Sequence, residues 1–382
     1  MTPRARGTLL AALAVSTLAV AADAPPLDYM VWQPFMKQKN VPAPGVMAGI
    51  DGESHFETNS IGIRGPEFGD SRKKEYRILV GGGSATECFY LDQDEAWPAL
   101  VGKGLGATAD GRRTWLGSIG RSGHNSRDHV LEIRDLVPKL PVDALVVMMG
   151  VNDLGLRLAQ DDAYNPDFLA TEENVRYQAR HAFLVHPDDP NLAFYQKGAL
   201  GRLLGLDPDA QRRKPWMVVD SAGKIFLKWR EYRRTGSVID KLPDLSVGLA
   251  EYARNATEIA RAAKTLGVRL VFVTQPVLWR AGLTDAESST LWMGGIGDFQ
   301  EKEGGRYYAP AALAEGMAAY NRALMEACAK AGAECLDIAA TTPKDLTVFY
   351  DDCHFNTSGA RIVAAKIREY LAGRPPYAQS KG

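Results

Sequence analysis

The sequence predicts an α/β protein of three layers, α/β/α, built on a parallel five-stranded sheet with helical and loop insertions. Three observations carry that expectation. Five short apolar segments alternate with stretches of helical period. One of them, DALVVMMG (143–150), is apolar on both faces, as a strand covered by helices on both sides must be. A chain of 382 residues is long enough for one large domain of this class with insertions.

The elements follow in order. YRILVGG (76–82) is the first strand, bounded by charge before and glycines after, and a helix-like DEAWPALVGKGL follows it. TWLGSIG (114–120) reads as the second strand and SRDHVLEIRDLV (126–137) as an amphipathic helix. The strand at 143–150 is third. A long helix over 247–267 ends in glycine and leads to the fourth strand, VRLVFVTQP (268–276). A second long helix (310–332), a short fifth strand (AECLDIA) and a closing helix (SGARIVAAKIREYLAG) complete the alternation. Segments at about 155–245 and 277–309 break it. They read as insertions leaving the C-terminal ends of strands three and four, where open sheets of this class place their sites.

The first residues are a different kind of text. Arg4 and Arg6 precede the run TLLAALAVSTLAVAA and then small residues, the pattern of a secretory signal peptide cut near Ala21 or Ala22. An uncleaved anchor is the competing reading, but about fifteen apolar residues is short for a span. The expected organisation is a signal peptide over 1–22, an N-terminal extension over 23–75 and one domain over 76–374. Export, periplasmic or extracellular, and no stable membrane insertion after cleavage follow from it.

Composition narrows the partners. Forty-five Lys+Arg against 46 Asp+Glu give a net charge of −1, so no global basic field invites nucleic acid. Oligomeric state is not legible. Four cysteines, Cys88, Cys328, Cys335 and Cys353, show no metal-ligand spacing, and no HExxH is present. In an oxidising compartment an even set of cysteines often pairs.

Candidate chemistry sits at the strand ends. The first strand runs into GGGSATE, which places Ser84 on a strand-to-helix turn. Alone, such a turn also suits a phosphate loop or a plain bend, although no Gly-Lys-Ser/Thr completes a P-loop. The third strand ends in GVND, with Asn152 and Asp153 on the neighbouring loop. FYDDCHFNTSGA places Asp351 three residues before His354, close enough for the carboxylate to fold back and orient the imidazole. A serine hydroxyl needs such a base, because it is hardly ionised at neutral pH.

The order GGS…RSG…GVND…DDCH resembles the SGNH (GDSL-type) hydrolases, in particular an exported bacterial esterase branch, over roughly residues 59–372. Gly83, where many members carry Asp, and Ser118, where an asparagine is common, depart from the pattern. The resemblance implies a flavodoxin-like sheet. It also implies Ser84 as nucleophile, His354 as base, Asp351 as its orienter, and an oxyanion hole from Ser84, Gly123 and Asn152. Acyl transfer through an acyl-enzyme then needs no metal and no cofactor. Because His354 must approach Ser84, their neighbours Cys353 and Cys88 are expected to bridge, leaving Cys328 to pair with Cys335. Asp352 is expected to be a solvated or capping carboxylate.

The substrate is expected to be an acylated small molecule or polysaccharide. Aromatic-rich segments FLKWREYRR (226–234), TLWMGG (290–295) and GRYYAP (305–310) suit a carbohydrate stacked on rings, with removal of O-acetyl groups from a polysaccharide as the first reading. Insertion core explains the same aromatics. Arg64 and Trp292 are candidate substrate contacts, and a salt bridge is the plain alternative for Arg64. Lipid or aryl esterase, thioesterase and polysaccharide O-acetyltransferase stay open, as does a non-enzymatic carbohydrate-binding or assembly protein on the same fold.

Overall fold

A computed structural model describes residues 29–184 and 215–378. The expected signal peptide and residues 185–214 of the first insertion lie outside the described residues. The strands in chain order are β1 (Lys37–Pro42), β2 (Ser54–Glu57), β3 (Glu75–Gly82), β4 (Arg113–Ser118), β5 (Ala144–Met149), β6 (Met217–Ala222), β7 (Ser237–Ile239), β8 (Arg269–Thr274), β9 (Arg306–Tyr308) and β10 (Glu334–Leu336).

Five of these strands form one sheet in the order β10-β8-β5-β3-β4, parallel throughout. This is the flavodoxin-like order, and it turns back at β3. The chain moves outward from β3 to β4 and then returns past β3 to β5. Right-handed crossovers therefore place the helices Trp97–Leu105 and Ser126–Leu131 on opposite faces. The first packs against the closing helix Thr357–Ala372. The second packs against the long helix Ser246–Leu266, which in turn packs against Pro310–Ala331. Every residue of β3 and β5 is buried, the result expected for strands covered on both faces.

Register aligns the functional ends. Gly82 pairs with Met148 and Val80 with Ser118, so β3, β4 and β5 finish at one edge. The segments carrying Ser84, Gly123 and Asn152 all leave from that edge.

The regions outside the alternation have structure of their own. β1, β2 and β6 make a small separate sheet, and β7 pairs with β9. Asn152 and Asp153 begin the helix Val151–Gln160, where a loop was expected. Helix Ser126–Leu131 passes into a π-turn, Glu132–Leu136, inside the stretch read as one helix. Among the described residues no helix is long and apolar enough to cross a membrane. Cys328 and Cys335 are joined in a disulfide across the turn between helix Pro310–Ala331 and β10.

Candidate active site

The strand-to-helix turn after β3 is built around close approach. A Cβ on Gly83 would lie 2.3 Å from the Asn152 Nδ2, so the Asn152 amide occupies the space beside this glycine. Ser84 then opens a single helical turn, Ser84–Glu87, which stops at Cys88 in the left-handed region at φ 51°.

So short a helix leaves its last carbonyls without intrahelical partners. Arg64 takes them. Its Nη1 donates to the carbonyls of Glu87 (2.6 Å) and Cys88 (2.9 Å), and its Nη2 to those of Leu91 (2.9 Å) and Asp92 (3.2 Å). Its Nε donates to Gln93 Oε1 at 3.0 Å. All five guanidinium donors are thereby used. Arg64 is buried and does not line the cavity at Ser84. The expectation of a substrate contact is thus corrected: Arg64 is bound from within and clamps the chain that follows Ser84.

Asn356 caps helix Thr357–Ala372 by accepting from the Gly359 N–H, which fixes the loop just ahead of it. On that loop, His354 Nε2 lies 2.7 Å from Ser84 Oγ. His354 Nδ1 lies 2.7 Å and 2.8 Å from the two Asp351 carboxylate oxygens. Asp351 is fully buried and also accepts from the backbone N–H groups of Cys353 and His354 and from the Trp292 indole at 2.9 Å. Burial opposes charge on Asp351. The nearby His354 charge and the hydrogen bonds from His354 and Trp292 outweigh it and hold the carboxyl below its ordinary range. Burial likewise disfavours the imidazolium, yet the Asp351 charge and hydrogen bond raise His354 above its ordinary value. Tyr350 stacks near-parallel to the imidazole at 5.4 Å, and Trp292 lies parallel to it at 6.3 Å.

Ser84, Gly123, Asn152 and His354 line one cavity of about 710 Å³. Gly123 has φ +83°, a backbone state that favours glycine. Asn152 spends one amide N–H on the His124 carbonyl at 2.8 Å, which leaves its second N–H to offer. Asp153 of the same GVND block is structural: it accepts from the Ser126 N–H at 2.9 Å, and burial pushes its carboxyl up to about 6. Ser118, the other departure from the common pattern, accepts from the Gly120 N–H at 3.1 Å and shores up the loop after β4.

The aromatic segments divide. Phe226, Trp229 and Trp292 line the cavity, whereas Tyr307 and Tyr308 are buried in the interior. Two neighbours of the site differ from expectation. Asp352 is fully buried; it accepts from the Trp279 indole (2.7 Å) and from the backbone N–H groups of Trp292 (2.8 Å) and Met293 (3.2 Å). The residue expected to be a solvated or capping carboxylate therefore is not solvated and pins the segment carrying Trp292 to the loop carrying His354. Cys88 and Cys353 are buried free thiols, so the expected bridge between them is not formed. Their sulfurs face different partners, Cys88 the Ala85 carbonyl and Cys353 the Met293 thioether. Closeness of Ser84 and His354 does not carry over to the side chains next to them.

Among the described residues, two groups of side chains have the proximity a metal ion needs: His124, Asp128 and His181, and Asp351, Cys353 and His354. In each, the imidazole–carboxylate pair is already hydrogen-bonded, at 2.8 Å for His181 Nδ1 and Asp128 and at 2.7 Å for His354 and Asp351.

Comparison with known proteins is consistent across residues 80–362, which match the model of the GDSL-like lipase/acylhydrolase family. No curated protein sequence matches the chain. Among solved structures, LAE5, described as an alpha/beta hydrolase enzyme from the metagenome of Lake Arreo, Spain, is 14% identical with a TM-score of 0.42. Axe2, an acetylxylan esterase from Geobacillus stearothermophilus, is 15% identical with a TM-score of 0.41. In both cases the match covers 80% of this chain and 97% of the other. The chain belongs to the GDSL-like lipase/acylhydrolase family and is a serine ester hydrolase.

Proposed function

We propose that this protein is an exported esterase that removes O-acetyl groups from carbohydrate, with Ser84 as nucleophile, His354 as general base and acid, and Asp351 as the residue that orients and charges His354. The observation that carries the reading is the continuous contact from Ser84 Oγ through His354 to Asp351, 2.7 Å on each side of the ring. His354 Nε2 takes the hydroxyl proton as Ser84 Oγ attacks the ester carbonyl. The tetrahedral intermediate collapses, the proton passes to the departing alcohol, and an acyl-enzyme remains. Water, deprotonated by the same nitrogen, releases the acid and restores Ser84. Negative charge on the carbonyl oxygen is met by the backbone N–H groups of Ser84 and Gly123 and by the free amide N–H of Asn152.

The carbohydrate assignment rests on Phe226, Trp229 and Trp292, which give the cavity beside Ser84 flat apolar walls of the kind sugar faces stack on. Export rests on the basic, apolar and small-residue pattern of residues 1–22 and on the Cys328–Cys335 bridge, which suits an oxidising compartment. In this reading residues 23–75 are an N-terminal extension, 76–374 are the hydrolase domain, and described residues of the insertions, such as Leu156, Phe226 and Trp292, supply cavity walls. The test is acetate release from acetylated polysaccharides beside a panel of acetyl to decanoyl esters. Acetylated polysaccharide as the best substrate is the expected result; a preference for decanoyl esters overturns the carbohydrate assignment.

A further inference from the structure

A second imidazole–carboxylate pair faces the cavity and takes no part in the mechanism above. His181, at the end of helix Glu172–Ala182, lines the cavity with Ser84 and His354, and its side chain is 45% exposed. Its Nδ1 is held by Asp128 Oδ1 at 2.8 Å. Asp128 is fully buried and cannot turn away, because it also accepts from Gln178 Nε2 at 2.6 Å and from the Asn125 backbone N–H at 2.9 Å. With Nδ1 fixed, Nε2 is the ring atom left to offer, and no described residue is within hydrogen-bond reach of it. It is directed at the oxyanion glycine: a Cβ built on Gly123 would lie 3.5 Å from His181 Nε2. Substrate atoms next to the scissile carbonyl must pass through that space.

We propose that His181 is a specificity residue for the esterase reaction, donating from Nε2 to a carboxylate carried by the sugar next to its O-acetyl group. The proposal rests on the carbohydrate ester reading and narrows it to acidic sugars.

The choice between binding and base chemistry follows from the groups around the ring. Asp128 faces it from helix Ser126–Leu131 and Glu132 lies beyond, both favouring the imidazolium; Arg121, on the loop after β4, opposes it. The His124 ring packs at 5.5 Å; its Nε2 donates to the His181 carbonyl and its Nδ1 meets the Glu132 carboxyl. The hydrogen bond to Asp128 dominates and raises His181 above its ordinary value. With Nδ1 tied to Asp128, the protonated ring is a poor proton acceptor and a good donor from Nε2 to an anion. Glu87, which also lines the cavity, is pushed up by burial and bonded to the Ser122 hydroxyl. The counter-ion of His181, Asp128, is buried behind the ring, so Nε2 is the atom that meets a negative group on the substrate.

The test separates binding from turnover. Full-length protein carrying Ser84→Ala is titrated calorimetrically, in EDTA, with a methyl glucuronoside acetylated on the hydroxyl next to the carboxylate-bearing carbon, and with the matched neutral carboxamide. We expect the acid to bind about tenfold more tightly near pH 6, the size of a partly exposed charge-assisted hydrogen bond. The preference should fade as pH rises through the His181 pKa, and it should be lost near pH 6 when His181→Gln is added. Equal binding of the two compounds, no binding of the acid, or a preference that survives His181→Gln overturns the proposal. Acetate release by the wild-type chain is read separately. Its absence beside a retained binding preference would refute the acetyl-hydrolase reading and leave the carboxylate contact standing.

Discussion

Replacing Asp352 by asparagine is a nearly isosteric change that the geometry makes expensive. The carboxylate of Asp352 meets three donors and no acceptor: the Trp279 indole on one oxygen, the Trp292 and Met293 backbone N–H groups on the other. An amide presents one acceptor and one donor group. Whichever way it is turned, an NH2 faces at least one N–H, and both are buried without a partner. Each unsatisfied group costs about 1–3 kcal/mol, so the pair gives about 2–6 kcal/mol. The substitution also removes a charge that burial and then Asp351 already disfavour, which offsets part of the loss. A destabilisation of about 2 kcal/mol is the expected balance, a fall in Tm of about 3 °C for a domain of this size. Because the same bonds fix the segment that presents Trp292 to Asp351, kcat for a soluble acetyl ester should fall as well. The assay is thermal unfolding of wild type and Asp352→Asn side by side, with kcat measured on the same preparations. A Tm within 1 °C of wild type, about the spread expected for a harmless surface change, would show that Asp352 does not anchor the two segments.

Four other outcomes follow. Asp351→Asn should lower kcat by at least tenfold and by up to about 10⁴, since the amide favours the wrong imidazole tautomer; kcat/KM of the wild type should rise with pH through a value above the ordinary histidine of about 6.5, because Asp351 raises His354 and the base works only when neutral. A titration at or below the ordinary value would contradict that coupling. Asn152→Ala should lower kcat by about 10²–10³ with circular dichroism unchanged, the usual loss for one oxyanion donor; a loss below threefold would remove Asn152 from that role. Arg64→Lys should lower both Tm and kcat, because three donors cannot replace five and at least two of the five acceptors after Ser84 lose a partner at about 1–3 kcal/mol each. Wild-type values of both would mean the clamp is idle.

The parts of the molecule legible in the sequence are those where one local signal dominates. β3, β5 and β8 are continuous apolar runs because both sheet faces are covered, and a short run of that kind has few other uses. The Asp351–His354 spacing was readable because three residues is a local distance. β1, with the polar sequence KQKNVP, and β6, MVVDSA, were not readable, since each finds its partner far along the chain and neither alternates cleanly. Arg64 and Asp352 show the same limit on side chains. A charged residue outside a helical or strand pattern reads as surface, and only the fold reveals that the short helix at Ser84 leaves carbonyls for Arg64, or that Trp279, Trp292 and Met293 converge on Asp352. Cys88 and Cys353 mark the opposite error. Their neighbours touch, but adjacent side chains on a turn point in different directions, and the sulfurs end facing Ala85 and Met293.

The central claim is that Ser84 is a hydroxyl activated by His354. It is tested most directly by reacting the protein with a serine-directed phosphonate ester and mapping the adduct by peptide mass spectrometry. The account predicts one adduct, on Ser84, formed in wild type, strongly slowed in His354→Ala and absent in Ser84→Ala, with acetate release lost in step. Labelling at another residue, or full esterase turnover in Ser84→Ala, would contradict it.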